Sequence, residues 1–202
     1  MNFAQESQEI FDRATRVYHD TGADIDTPCP AEYPEGSIQQ TLFAKNWIDA
    51  RQWHMEDLIR DPHIDPVRGM ELKRVIDRSN QERTDMVEEL DTYFRNLYSG
   101  VKVREDATIN TESPAWALDR LSILSLKIYH MAQEVERTDV DDAHRARCRA
   151  KLDVLLEQQR DLVSAIGDLL DDIAAGRKYM KVYRQMKMYN DPTTNPVLYA
   201  KK

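Results

Sequence analysis

His54 and Asp57, one helical turn apart, are the residues of this sequence best suited to acid–base chemistry. Histidine titrates near neutral pH, and a neighbouring carboxylate can hold its ring in one orientation. A helical wheel places His54 inside an apolar arc and Asp57 at the border of that arc. The pair is therefore our candidate catalytic site, with a hydrogen-bonded core histidine as the alternative.

Positively charged residues occupy similar positions on the neighbouring predicted helices. Arg83 lies at the centre of the apolar arc of the third helix, and inward cations outnumber inward acids. Such an excess favours a carboxylate or phosphate ligand, for example a sugar nucleotide or a sugar phosphate. The residues predicted to bind it are Arg51, Lys73, Asp77, Asn80, Arg83, Arg120 and Lys127.

An internal ionic network is the competing interpretation of the same polar residues. A buried charge must be paired, so Asp57 could bind Arg83 simply to fix the register of two helices. On the same wheels Lys45 and Asp49 face away from the arc and are predicted to be solvated, as are Glu56 and Arg60. His130 points away from its own apolar stripe and receives no role.

Metal and nucleophile chemistry find little support in the motifs. No Glu-x-x-His motif of di-metal bundles occurs, and no phosphate-binding loop or nucleophile elbow is present. Cys148 lies on an apolar stripe and is predicted to be a packing residue without an activating histidine. One loose match remains, in which four acids would form a magnesium site like that of helical nucleotide pyrophosphohydrolases: Asp57, Asp61, Glu88 and Asp91. No metal or cofactor is predicted.

Apolar residues recur every three or four positions through most of the chain, which is typical of helices packed in a bundle. Caps at Ser37, Asp65, Ser113 and Thr138 predict where the later helices begin. The predicted helices cover 3–20, 37–61, 65–98, 114–137 and 139–189, followed by an irregular tail over 190–202. We therefore predict a single all-α domain over 1–202, an antiparallel bundle of about five helices with a long last one.

Composition narrows the functional classes. The 202 residues carry a net charge of −8, which argues against wrapping duplex nucleic acid. Two cysteines exclude a disulfide framework, and no apolar run approaches the ~20 residues of a membrane span. The amino terminus lacks the pattern of a signal peptide, so we predict a cytoplasmic protein.

The basic end of the chain stands apart from its acidic body. Residues 176–202 contain seven Lys or Arg and one acid. We predict that this segment folds back on the body and brings Lys181 and Arg184 near the polar pocket, as further ligand-binding residues. Weak peripheral contact with an anionic membrane is a secondary possibility.

Four segments of the chain resemble a known family. They are KNWIDARQWHMEDLIRD (45–61), LKRVIDRSNQERTDMVEELD (72–91), WALDRLSILSLKIYHM (116–131) and GRKYMKVYRQMKMYNDPTTNP (176–196). These strings resemble the hallmark segments of a bacterial family of unknown function, DUF4254. The resemblance implies a cytoplasmic helical protein, often encoded near glycosyltransferases of envelope polysaccharide assembly, and brings no activity with it.

Three functional hypotheses follow, and whether the protein is an enzyme stays open. The first is an accessory protein or enzyme of cell-envelope glycan synthesis that binds an anionic ligand. The second is a non-enzymatic interaction protein that docks a glycosyltransferase or a second copy of itself, because the fifth helix carries two adjacent apolar rows. The third is a magnesium-dependent nucleotide pyrophosphohydrolase.

Overall fold

The computed structural model describes residues 2–184, 186, 188 and 191–200, and it confirms the all-α fold class. Five long helices are accompanied by one short helix and one pair of two-residue strands within those residues. The elements are α1 Phe3–Asp20, α2 Ile38–Ile59, α3 Pro66–Leu97, β1 Thr108–Ile109, α4 Pro114–Glu136, α5 Asp142–Ala174, β2 Lys178–Tyr179 and α6 Pro196–Tyr199.

Local capping chemistry determines where the helices begin. The side chains of Ser37, Asp65 and Ser113 accept hydrogen bonds from backbone N–H groups in the first turns of α2, α3 and α4, as predicted. Helix α5 differs, because its cap is Asp141, whose carboxylate accepts from the backbone N–H of His144 at 2.6 Å. The predicted start at Thr138 is therefore wrong by about one turn.

Helix α5 is long, but the prediction that it continues to 189 is wrong. It ends at Ala174, and Gly176 follows with a φ of +68°, the left-handed conformation in which glycine commonly ends a helix. A β-carbon at Gly176 would lie 2.4 Å from the carbonyl oxygen of Lys102, so only glycine fits there. The chain then pairs as β2 with β1 in parallel. Tyr189, the predicted helix end, lies outside the described residues.

The tail is also not wholly irregular. Helix α6 forms at Pro196–Tyr199, with the side chain of Asn195 accepting from the backbone N–H of Val197 at 3.0 Å. Residues 190, 201 and 202 of the predicted tail lie outside the described residues.

The main core fills the space between α1, α2, α3, α4 and α5. Helix α4 packs along α5 as an antiparallel hairpin, and α1 packs on both α2 and α4. Each fully buried large side chain contributes roughly 1.5–3 kcal/mol relative to exposure; they include Phe11, Phe43, Trp47, Phe94, Leu118 and Leu121. No helix in the described part of the chain is long and apolar enough to cross a membrane.

Candidate functional site

A buried ionic network lies where α2, α3 and α4 meet. The Nζ of Lys45 is 2.5 Å from an Asp49 carboxylate oxygen and 2.7 Å from Asp119 on α4. The Lys45 side chain is fully buried. The prediction that Lys45 and Asp49 are solvated is therefore wrong. Because α1, α3 and α4 all pack on α2, this helix has no broad solvated face for a wheel to find.

Arg83 of α3 completes this network. Its Nε donates to Asp49 at 2.5 Å, and its Nη2 lies 3.5 Å from Asp119. Burial alone would lower the pKa of Arg83, but the two carboxylates more than offset that effect and the pKa is raised. Arg83 thus takes part in an internal network, as in the competing interpretation of the sequence, but its acidic partners are Asp49 and Asp119 rather than Asp57.

Uncharged groups extend the network to α1 and further along α4. Ser122 of α4 donates its hydroxyl to Asp49 at 2.6 Å and accepts from the Asn46 amide at 3.1 Å. Asn46 in turn accepts from the hydroxyl of Thr15 on α1 at 2.9 Å. Two cations, two carboxylates and these neutral groups therefore link four helices without a surplus of charge.

A cavity of about 370 Å³ opens beside the network, and we call it the Arg83 cavity. The indole of Trp53 forms part of its wall, and the Arg83 side chain is 20% exposed. Gln52 is 7% exposed, and its carbonyl Oε1 is buried with no hydrogen-bond partner among the described residues. The polar lining consists of Asp49, Gln52, Glu56, Asp57, Arg60, Asn80 and Arg83.

Three of the predicted site residues, Asp57, Asn80 and Arg83, line this cavity. The predicted catalytic pair is divided instead. His54 is not among the residues that line the cavity, and its Nδ1 lies 3.1 Å from the hydroxyl of Tyr18 on α1. Burial raises the pKa of Tyr18 to about 12, so this hydroxyl keeps its proton at neutral pH.

The other predicted ligand-binding residues are dispersed over the molecule. Arg51 donates to the carbonyl oxygen of Ile25 at 2.8 Å. Lys73 and Asp77 form an exposed ion pair with each other on α3. Arg120 holds both oxygens of Glu112 at 2.9 and 3.0 Å. Lys127 and Arg120 line a groove of about 820 Å³ between α4 and α5. The predicted cation excess is therefore not assembled around the Arg83 cavity.

The basic end of the chain contacts a different part of the bundle from the one predicted. Lys181 lines a neighbouring cavity beside β2, and Arg184 is exposed. Because α5 ends early and β2 pairs with β1, the segment packs beside the loop before α4 rather than beside Arg83.

The sequence gives His130 no role, yet its ring packs on the Trp53 ring. The two rings stack with centroids 4.7 Å apart, and the His130 Nε2 is buried without a partner among the described residues. Burial lowers the pKa of His130, the nearby His19 lowers it further, and Asp57 opposes both effects. The spacing of residues along one helix cannot predict this contact, because it joins two different helices, α2 and α4.

Beyond these rings lies an apolar groove between α4 and α5, which we call the Val154 groove. It has a volume of about 550 Å³ and includes Met131, Val154 and Leu155 in its lining. Trp53 borders both this groove and the Arg83 cavity. A polar and an apolar recess therefore adjoin on one side of the bundle.

Among the described residues, one group of His, Cys and acidic side chains converges closely enough to hold a metal ion: Glu134, His144 and Cys148. The Nε2 of His144 lies 3.4 Å from the Cys148 Sγ, so the prediction that no cysteine has a nearby histidine is wrong. The four acids of the pyrophosphohydrolase hypothesis form no such group, since Asp57 and Asp91 line different cavities.

The chain is thus an all-α bundle whose helices are joined by a buried ionic network beside a small polar cavity. The family model described as "Protein of unknown function (DUF4254)" matches residues 39–182, and the chain belongs to this family. No curated protein and no solved structure matches the chain. The matched range contains the cavity lining and the Glu134–His144–Cys148 group, whereas α1 lies outside it.

Proposed function

We propose that this protein binds the sugar part of a nucleotide sugar or a sugar phosphate in the Arg83 cavity. The proposed setting is cytoplasmic, as an accessory protein or enzyme of bacterial cell-envelope glycan synthesis. The observation that carries the proposal is the lining of the cavity, where hydrogen-bond donors and acceptors surround one aromatic wall.

The chemistry of a sugar complements this lining. Each sugar hydroxyl both donates and accepts hydrogen bonds, while the ring also presents an apolar C–H surface. Arg83 offers donors, Asp57 offers acceptors, and Trp53 offers an apolar wall. A volume of about 370 Å³ lies at the lower end of the range of small-molecule pockets. It therefore suits one sugar unit rather than a whole nucleotide sugar.

The network below the cavity supports binding by fixing one of its donors. Arg83 is held by two carboxylates on two other helices, so little side-chain freedom remains to be lost when a ligand binds. Because Arg83 is neutralised, the phosphate is assigned to the cavity mouth, where Arg60 is exposed and pairs with Glu56 at 3.3 Å. Exposed ion pairs of this kind contribute little to stability, so the phosphate of the ligand can replace the Glu56 carboxylate as the partner of Arg60.

Isothermal titration calorimetry with UDP-glucose, glucose 1-phosphate, glucose and UDP tests the proposal. We expect the sugar-containing probes to bind and UDP alone to bind at least tenfold more weakly. Asp57→Asn should weaken sugar binding about tenfold, since a hydrogen bond to a charged group contributes roughly 1.5–3 kcal/mol. Asp77→Asn, outside the cavity on α3, is the matched control. If no probe binds, or if Asp57→Asn binds like the wild type, the proposal fails.

Self-association is the second candidate function, favoured by the Val154 groove. Val154 is 54% exposed in a recess whose accessible surface is mostly apolar, although Lys127, Glu134 and Lys151 also border it. Pairing of two such grooves would remove this apolar surface from water. Light scattering over a concentration series should then give a dimer mass that Val154→Asp reduces to the monomer and that Val67→Asp, at an exposed site on α3, leaves unchanged. A monomer mass throughout would exclude this candidate.

A further inference from the structure

The tip of the α4–α5 hairpin brings three potential metal ligands together. Glu134 lies in the last turn of α4, His144 in the first turn of α5, and Cys148 one turn later. Asp141 caps α5 on the backbone N–H of His144, which fixes the helical geometry of that turn. Residues four apart share one helix face, so His144 and Cys148 both face Glu134.

The three side chains converge on one point in space. The Nε2 of His144 is 3.4 Å from the Cys148 Sγ and 3.1 Å from a carboxylate oxygen of Glu134. Tetrahedral zinc bonds of about 2.3 Å to sulfur and about 2.1 Å to nitrogen and oxygen imply separations of roughly 3.6 Å and 3.4 Å. The two separations from His144 are within about 0.3 Å of these values, and all three ligand atoms lie within 4.8 Å of one another. We propose that Glu134, His144 and Cys148 form a binding site for a zinc ion.

The geometry distinguishes a metal site from a catalytic triad. In a triad the imidazole contacts the nucleophile through one ring nitrogen and the acid through the other. Here the thiol and the carboxylate both approach the same nitrogen, Nε2. Three groups around a common centre are the arrangement that an ion requires, whereas a proton relay requires a linear series.

Charge and access also suit zinc. Binding releases the thiol proton to solvent, so the thiolate and the Glu134 carboxylate together neutralise the divalent ion. Arg137 contacts Glu134 at 3.0 Å, but it also holds both oxygens of Asp139 and keeps that partner when the ion binds. The Glu134 and His144 side chains are partly exposed, which gives the ion a route from solvent.

The ligand set indicates the class of metal and the role of the site. A thiolate and an imidazole select zinc over the hard cations magnesium and calcium. With three protein ligands, the fourth coordination position of a tetrahedral zinc ion is open to water. Because the ligands come from both helices of the hairpin, the bound ion would tie the end of α4 to the beginning of α5.

Cobalt(II) provides the test, because cobalt bound to thiolate gives a charge-transfer absorption band that zinc does not. The chain has only two cysteines, so Cys29→Ser is a matched control for Cys148→Ser. We expect the band in the wild type and in Cys29→Ser, its loss in Cys148→Ser, and its displacement by added zinc. Zinc should also raise the melting temperature of the wild type and of Cys29→Ser.

If Cys148→Ser does not fold, variants of the two partly exposed ligands still test the proposal. His144→Gln and Glu134→Gln should each lower zinc affinity at least tenfold, while His63→Gln, at an exposed loop position, should not change it. The proposal is overturned if the wild type gives no thiolate band. It is equally overturned if the band survives in folded Cys148→Ser, or if His144→Gln binds zinc as tightly as the wild type.

Discussion

Replacing Lys45 with methionine should destabilise the protein far more than the same change at Lys73. Each lysine pairs with an aspartate four residues later on its helix, Asp49 and Asp77 respectively. The Lys45 pair is fully buried, whereas the Lys73 and Asp77 side chains are 52% and 40% exposed. The two substitutions are thus chemically identical and differ in their surroundings.

The expected magnitudes follow from that difference. Removing one partner of a buried ion pair costs about 3–5 kcal/mol, because the charge left behind stays desolvated. Lys45 also binds Asp119, so its loss leaves two carboxylates to share Arg83. An exposed pair four residues apart on a helix contributes about 0.3–0.5 kcal/mol. For a chain of this size each kcal/mol shifts the melting temperature by about 2–4 °C. Lys45→Met should therefore lower it by roughly 6–20 °C, and Lys73→Met by about 1–2 °C.

Urea unfolding followed by far-ultraviolet circular dichroism measures both free energies of unfolding. Adding Asp119→Asn to Lys45→Met should recover part of the loss, because it neutralises a carboxylate that has lost one of its two cationic partners. Equal losses for Lys45→Met and Lys73→Met would refute the reasoning, as would a loss below about 1 kcal/mol at Lys45.

Two further predictions concern acid sensitivity and the end of α5. Because burial lowers the pKa of His130 in the folded state, the unfolded chain binds a proton there first as the pH falls below about 6.5. Between about pH 8 and about pH 5, the free energy of unfolding should fall less in His130→Gln than in the wild type. The control His63→Gln, at an exposed position, should follow the wild type. At the end of α5, Gly176→Ala should cost more stability than Gly22→Ala. Both glycines have positive φ, which costs about 1–3 kcal/mol for other residues, but only at Gly176 would the new β-carbon meet the Lys102 carbonyl. Equal melting temperatures for the two alanine variants would contradict this.

The beginnings of α2, α3 and α4 could be predicted because their determinants are local. Ser37, Asp65 and Ser113 each act on backbone groups two or three residues away, so the sequence contains the whole interaction. The end of α5 depends instead on Gly176 meeting Lys102 and on pairing with β1, which are distant in the chain. Periodicity alone therefore extended the helix too far.

The candidate site was predictable only where a single helix determines it. Arg83 was correctly placed inside the bundle because the apolar arc of α3 is well defined. The apolar arc of α2 is poorly defined, because other helices cover α2 on several sides. The helical wheel therefore predicts, wrongly, that Asp49 is solvated. His144 and Cys148 have a visible four-residue spacing, but their third partner, Glu134, comes from another helix and only the fold brings it near.

The parallel pairing of β1 with β2 has a consequence for the order of folding. Parallel strands need a connection that returns the chain to its starting edge, and here that connection is the α4–α5 hairpin. The N–H groups of Arg104 and Thr108 donate to the carbonyl oxygens of Gly176 and Arg177 at 3.0 and 3.1 Å. These bonds can form only once α4 and α5 have returned the chain to β1, and opening of the hairpin would break them. Hydrogen exchange at those two amides should therefore be no slower than the opening of the hairpin, and slower exchange there would contradict this dependence.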